Sequence, residues 1–162
     1  NLDIVVRCQA YISDWKRAFY LGTPPKEIAD LYDFEWTVHH AIVEEIKPGM
    51  TTVEAQEACE HRLKKEGMVN SPMFRQWIVH SVGLEIHEEP MIGGCPTVSE
   101  NGEVDNTKMA RFPGLLRDGS QKITFEPNTV VMVETKRTED PYVMTKEGLK
   151  RLNTLPQELF VV

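Results

Sequence analysis

The stretch HSVGLEIHEEP, residues 80–90, decides how the rest of this chain is read. It holds two of the five histidines, His80 and His87, on either side of Gly83, with Glu88, Glu89 and Pro90 directly after. Trp77 to Ile86 reads as extended. The two histidines stand an odd number of residues apart, so on a regular strand they point to opposite faces. Bringing both rings to one site requires a bulge or bend near Gly83. Metal-competent partners must then be sought elsewhere in the chain.

The informative candidates are acidic residues inside strand-like runs, where partial burial makes a carboxylate costly. Asp3 and Asp14 lie in 2–21, a strand-rich segment with Ile4, Val5 and Val6. A hairpin folded about Cys8-Gln9 sets Asp3 opposite Asp14. Glu134 and Glu139 bracket Lys136-Arg137, and a turn there opposes the two glutamates. Like charges facing across strands are destabilising unless a cation lies between them. Four carboxylates and an imidazole suit Mn²⁺, with Co²⁺, Fe²⁺ or Zn²⁺ as alternatives. That much negative charge is balanced better by two divalent ions than by one. His80 supplies the nitrogen ligand, and His87 a nearby acid–base or hydrogen-bonding group.

The remaining pattern describes a frame around this cluster. Lys26 to Ile46 carries apolar residues at helical spacing and ends at Lys47-Pro48-Gly49. Thr51 and Glu54 form a capping-box signature for a second helix, which runs to about Glu66. His39, His40 and His61 fall on these helices, away from the ligand set. Residues 91–126 are rich in Gly, Pro, Asn and Ser and read as a long, mostly irregular excursion. Val130 to Glu134 and Asp140 to Thr145 read as a hairpin. The 162 residues suit a single domain, 1–162. A net charge of −7 disfavours nucleic acid, and the sequence holds no apolar run long enough to predict a membrane span. Three scattered cysteines form no disulfide framework and point to a reducing, cytoplasmic setting.

These same segments resemble, in order, the motifs of the pita-bread metallopeptidases, the family of prolidase, Xaa-Pro aminopeptidase and methionine aminopeptidase. YISDWKRAF resembles G-Y-x-S-D-I-T-R-T-F, and HSVGLEIHEEP resembles H-x-x-G-L-x-V-H-E. IVEEIKPGMTTVE, PNTVVMVE and TEDPYVMTKEGLKRL resemble further family segments. The resemblance spans Asp3 to the C-terminus and leans to the Xaa-Pro branch. It implies an α+β fold, a curved antiparallel sheet covered by helices, with part of the first half absent. It implies that 1–162 is a C-terminal fragment of a longer catalytic chain.

Carried over residue by residue, the resemblance makes Asp3, Asp14, His80, Glu134 and Glu139 ligands of two divalent ions, with Mn most expected. Glu134 doubles as the proton shuttle, and His87 contacts substrate and steadies the tetrahedral intermediate. The implied activity is hydrolysis of short Xaa-Pro peptides by a metal-bridging water, in a homodimer. Two alternatives share the scaffold: a metal-dependent lyase or other small-molecule hydrolase, and a non-catalytic pseudo-peptidase used for binding. Two departures stand out. Gln76 occupies a position where several relatives carry histidine. Glu134 and Glu139 are unusually close, and Lys136-Arg137 is a poor hairpin turn, which predicts residues missing near 135–138.

Overall fold

The structure, a computed structural model, describes residues 1–99, 101–110 and 123–162. Its main sheet contains β1 (Leu2–Cys8), β2 (Tyr11–Arg17), β4 (Trp77–Ser81), β5 (Glu88–Val98), β6 (Val104–Ala110), β7 (Val130–Thr135), β8 (Glu139–Thr145) and β9 (Gly148–Arg151). All pairings in it are antiparallel, in the order β1-β2-β8-β7-β4-β5-β6, with β9 beside β8. A short parallel pair, β3 (Phe19–Tyr20) and β10 (Phe160–Val161), lies apart from it. Two helices, α1 (Lys26–Glu45) and α2 (Thr52–Lys65), cover one face.

Alternation along the strands sorts side chains between the two faces. Trp77, Val79, Ile92, Val131, Val133 and Met144 point to the helices and pack with Ile42, Ile46, Ala55, Cys59 and Leu63. His80, Glu134 and Glu139 point to the opposite face. The start of α2 is the expected capping box: Thr51 Oγ1 accepts from the Glu54 N–H at 3.2 Å, and Glu54 accepts from the Thr51 N–H at 2.8 Å.

Three expectations change. First, the opening hairpin turns about Gln9-Ala10, one residue later than expected. Both residues have positive φ, 48° and 74°, which suits the tight turn that matches strand twist. Asp3 therefore faces Lys16, and Asp14 faces Val5, rather than the two aspartates facing each other. Second, much of 91–126 is ordered strand, β5 and β6; residues 100 and 111–122 of that stretch lie outside those described. Gly93 fits there because a Cβ would come within 2.5 Å of the Trp77 carbonyl oxygen, and Gln56 holds its N–H and C=O at 2.8 and 3.2 Å. Loop-like composition is here a close-packing requirement.

Third, Lys136-Arg137, a poor turn pair by its composition, forms the tip of a closed hairpin: Glu134 pairs Glu139, and Thr135 N–H donates to Thr138 O at 2.8 Å across the turn. Its turn residues do not adopt the positive φ of the favoured two-residue turns. The stability comes from α1 instead. Buried Glu35 accepts from the Arg137 N–H at 2.6 Å and from Thr135 Oγ1 at 2.9 Å, and pairs with the Arg137 guanidinium. Buried His39 meets Thr138 Oγ1 at 3.2 Å and Tyr142 Oη at 2.9 Å. Burial, then His40, holds the His39 pKa well below the ordinary range, so this ring is neutral. His39 is thus a positioning residue outside the ligand set, as its helical placement suggested.

Candidate metal centre

Two adjacent rows of side chains cross the sheet on the face opposite the helices. The first is set by register: Asp3 on β1 pairs Lys16 on β2, Lys16 pairs Glu139 on β8, and Glu139 pairs Glu134 on β7. Asp14, two residues before Lys16, and His80, two after Ile78, which itself pairs Glu134, make the next row on the same face. Asp14, His80 and Glu139 offer ligand atoms that all lie within 4.8 Å of one another. These residues are 4%, 0% and 1% exposed.

His80 Nδ1 meets the Ser81 carbonyl at 3.1 Å, which requires the proton on Nδ1 and leaves Nε2 as the acceptor, 3.3 Å from Glu139 Oε1. Burial lowers the His80 pKa, so the ring is neutral and able to bind a metal. The expected bend is present. The β4–β5 register shifts between His80 and Ser81, and the Gly83 carbonyl accepts from the Ile12 N–H at 2.8 Å. The His87 ring consequently stands edge-on to His80, with centroids 4.7 Å apart. Burial, then the neighbouring His80, lowers the His87 pKa as well.

Asp14 and Glu139 lack sufficient positive charge. Burial, then the charges of Glu139 and Asp3, push Asp14 up to about 6. Burial, then Glu134, pushes Glu139 up to about 8. Asp14 Oδ1 is buried with no hydrogen-bond partner. A buried carboxylate oxygen without a donor, beside a neutral imidazole and a second carboxylate, fits one divalent cation.

Asp3 and Glu134 are engaged differently. The Lys16 ammonium lies 3.0 Å from Asp3 Oδ2, 2.6 Å from Glu134 Oε1 and 3.7 Å from Glu139 Oε2. Burial alone would lower its pKa, but Glu134, then Glu139 and Asp3, outweigh that and hold it above the ordinary lysine range. Asp3 is the most open member, with its side chain 54% exposed. The sequence reading missed Lys16. Its signal was present, since YISDWKRAF has lysine where the quoted G-Y-x-S-D-I-T-R-T-F pattern has threonine, on the same face as Asp14.

Backbone positions in the first row are fixed from below. Arg17, fully buried, donates to the Lys16 and Glu139 carbonyls at 2.8 and 2.9 Å and to Asp140 Oδ1 at 2.6 Å. Asp140 also accepts from Asn153 at 2.7 Å and Gln157 at 2.8 Å and pairs with Arg151 at 2.9 Å.

An antiparallel sheet backed by two helices is the arrangement of the pita-bread fold, and the buried imidazole and carboxylates converging on the face away from the helices offer a site for a divalent cation. The profile of metallopeptidase family M24 matches residues 1–151, and the chain belongs to that family. The Xaa-Pro dipeptidases of Pyrococcus horikoshii and Pyrococcus furiosus are 29% and 30% identical over 159 residues each. Those alignments take in 98% of this chain but 40% of each relative, so the chain spans about two fifths of their length. The solved dipeptidase of Pyrococcus horikoshii OT3 superposes with a TM-score of 0.67 at 19% identity, over 99% of this chain and 40% of that one. At that identity the likeness establishes the fold alone.

Proposed function

We propose that this chain carries the metal-binding and proton-transfer groups of a peptidase that hydrolyses short Xaa-Pro peptides. The observation that carries the reading is the unpartnered Asp14 Oδ1, buried within reach of His80 and Glu139. The names of the dipeptidase relatives supply the substrate class. Asp14, His80 and Glu139 would hold a divalent cation. Manganese suits a mainly oxygen donor set with one imidazole, and cobalt, iron or zinc are the alternatives. Such an ion, when bound, supplies Lewis acidity and a water of lowered pKa.

The residues around it divide the remaining work. Glu134 has one oxygen engaged by Lys16, and its other oxygen takes a proton from the attacking water and returns it to the leaving amine. His87 stands at the rim, neutral, and donates a hydrogen bond to the developing oxyanion. Burial of Asp14, His80 and Glu139 keeps bulk water from the cation position, which strengthens these interactions.

The test is hydrolysis of Ala-Pro and Gly-Pro by the protein dialysed against chelator, then against Mn²⁺. Metal-restored cleavage is expected. Release of a volatile sulfide from a small sulfonium compound, with no peptide cleavage, would assign the chain to lyase chemistry on the same scaffold. Metal binding without turnover of either substrate would mark a pseudo-peptidase.

A further inference from the structure

We propose that Lys16 replaces the second metal ion, so that this chain holds one divalent cation where its ligand pattern would otherwise accommodate two. The proposal rests on the reading of Asp14, His80 and Glu139 as a metal centre and goes beyond it. The five residues expected to ligate divide into two groups. Asp14, His80 and Glu139 face one another across a gap without a cation. Asp3 and Glu134, with the second oxygen of Glu139, face one another across a gap that already contains one.

Lys16 is built into that position. Strand register sets it between its cross-strand neighbours Asp3 and Glu139, and Glu134 lies one strand further along the same row. Its side chain is 9% exposed, so this is not a surface lysine that happens to reach inward. Arg17, the next residue, fixes the backbone by donating to the Lys16 and Glu139 carbonyls. An ammonium 2.6 Å from one carboxylate and 3.0 Å from another occupies the space a bridging cation would need, since dications sit at about 2.0–2.6 Å from their oxygens. A second ion would also meet a like charge at close range, in surroundings of low dielectric.

Charge balance is compatible with one ion: against four carboxylates the ammonium plus one dication supplies three charges, one short, whereas the ammonium plus two dications would supply five, one in excess. Chemistry follows from the count. Three protein ligands leave an open position on a single ion, the arrangement of one-metal hydrolases. The negative groups that would grip a second ion are instead ordered by a covalently attached cation, which chelators cannot remove.

Equilibrium dialysis against Mn²⁺ with elemental analysis reads the stoichiometry, and electron paramagnetic resonance reads whether ions are coupled. The natural protein is expected to bind one Mn²⁺ per chain, with the spectrum of an isolated ion. Lys16→Thr, which removes the ammonium and keeps a strand-favouring residue, is expected to bind two with a coupled spectrum. Lys16→Arg retains the charge and is expected to stay at one. Thermal unfolding of each variant with and without Mn²⁺ reports folding independently. Two coupled ions in the natural protein would overturn the role of Lys16 and leave the metal centre intact. A single ion in a folded Lys16→Thr would overturn it equally. No bound ion in any form would instead overturn the metal reading itself.

Discussion

Replacing Asp14 by asparagine should make the metal-free protein more stable at pH 8, although it removes a proposed ligand. Asp14 is 4% exposed, has an unpartnered oxygen, and is pushed from its ordinary 3.8 up to about 6 by burial and by Glu139 and Asp3. A carboxyl whose folded pKa is raised favours the folded state only while protonated. Its contribution is full below pH 3.8 and is lost as pH rises through about 6. Above that, the ionised group costs on the order of 2–3 kcal/mol, at about 1.4 kcal/mol per pH unit. Asparagine keeps the shape and removes the charge. For a chain of this size, that corresponds to a melting temperature roughly 5–10 °C higher in chelator at pH 8, with little difference near pH 4. Saturating Mn²⁺ should invert the order, because binding stabilises only the protein that retains its ligand. Thermal and urea unfolding across pH 4–8, with chelator and with Mn²⁺, measure all four limits. A variant less stable than the natural protein in chelator at pH 8, or equal stabilisation of both by Mn²⁺, would show that Asp14 is not a carboxylate awaiting a cation.

The remaining predictions concern the histidines and the helix that grips the turn. His80→Ala should lose the bound ion on dialysis, whereas His87→Ala should keep it and lower kcat by about 10²-fold or more, as loss of one oxyanion donor does; equal metal loss in both would make His87 a ligand. Glu35→Ala should destabilise by about 2–3 kcal/mol, because it removes the buried acceptor of the Arg137 N–H and the Thr135 hydroxyl and leaves the part-buried Arg137 guanidinium unpaired. Urea unfolding measures this, and a cost under about 1 kcal/mol would mean that the 134–139 turn holds itself.

Much of the fold and of the site could be read before any coordinates, for identifiable reasons. The capping box and the α1 stripe are local signals, and local signals survive into tertiary structure. The opposition of Glu134 to Glu139 depends on a turn only two residues long at its tip, where register has little room to slip. The bend after His80 followed from parity alone. The Asp3–Asp14 pairing failed because the turn is made by Gln9 and Ala10, residues without the Gly or Asn signal that marks positive φ. Strand β5 was hidden because Gly93, Gly94, Pro90 and Pro96 read as loop, while the tight approach of Trp77 is a tertiary fact. Lys16 is not legible as a site residue because an ammonium cannot ligate a metal, and its place between Asp3 and Glu139 follows from a register set one residue away from the expected one.

The Asp140 hub has a dynamic consequence. One buried carboxylate joins Arg17 on β2 to Asn153, Gln157 and Arg151 near the C-terminus, and the residue before it is Glu139, a proposed ligand. Residues 151–157 therefore cannot fray independently, since their departure would strip Asp140 of three of its four partners and leave Arg17 as its only counter-charge. Opening this tail should loosen the ligand row in the same event. In hydrogen exchange, the amides of 152–155 and of 139–144 would then belong to one cooperative unit, and bound cation would slow exchange in a segment that never touches it.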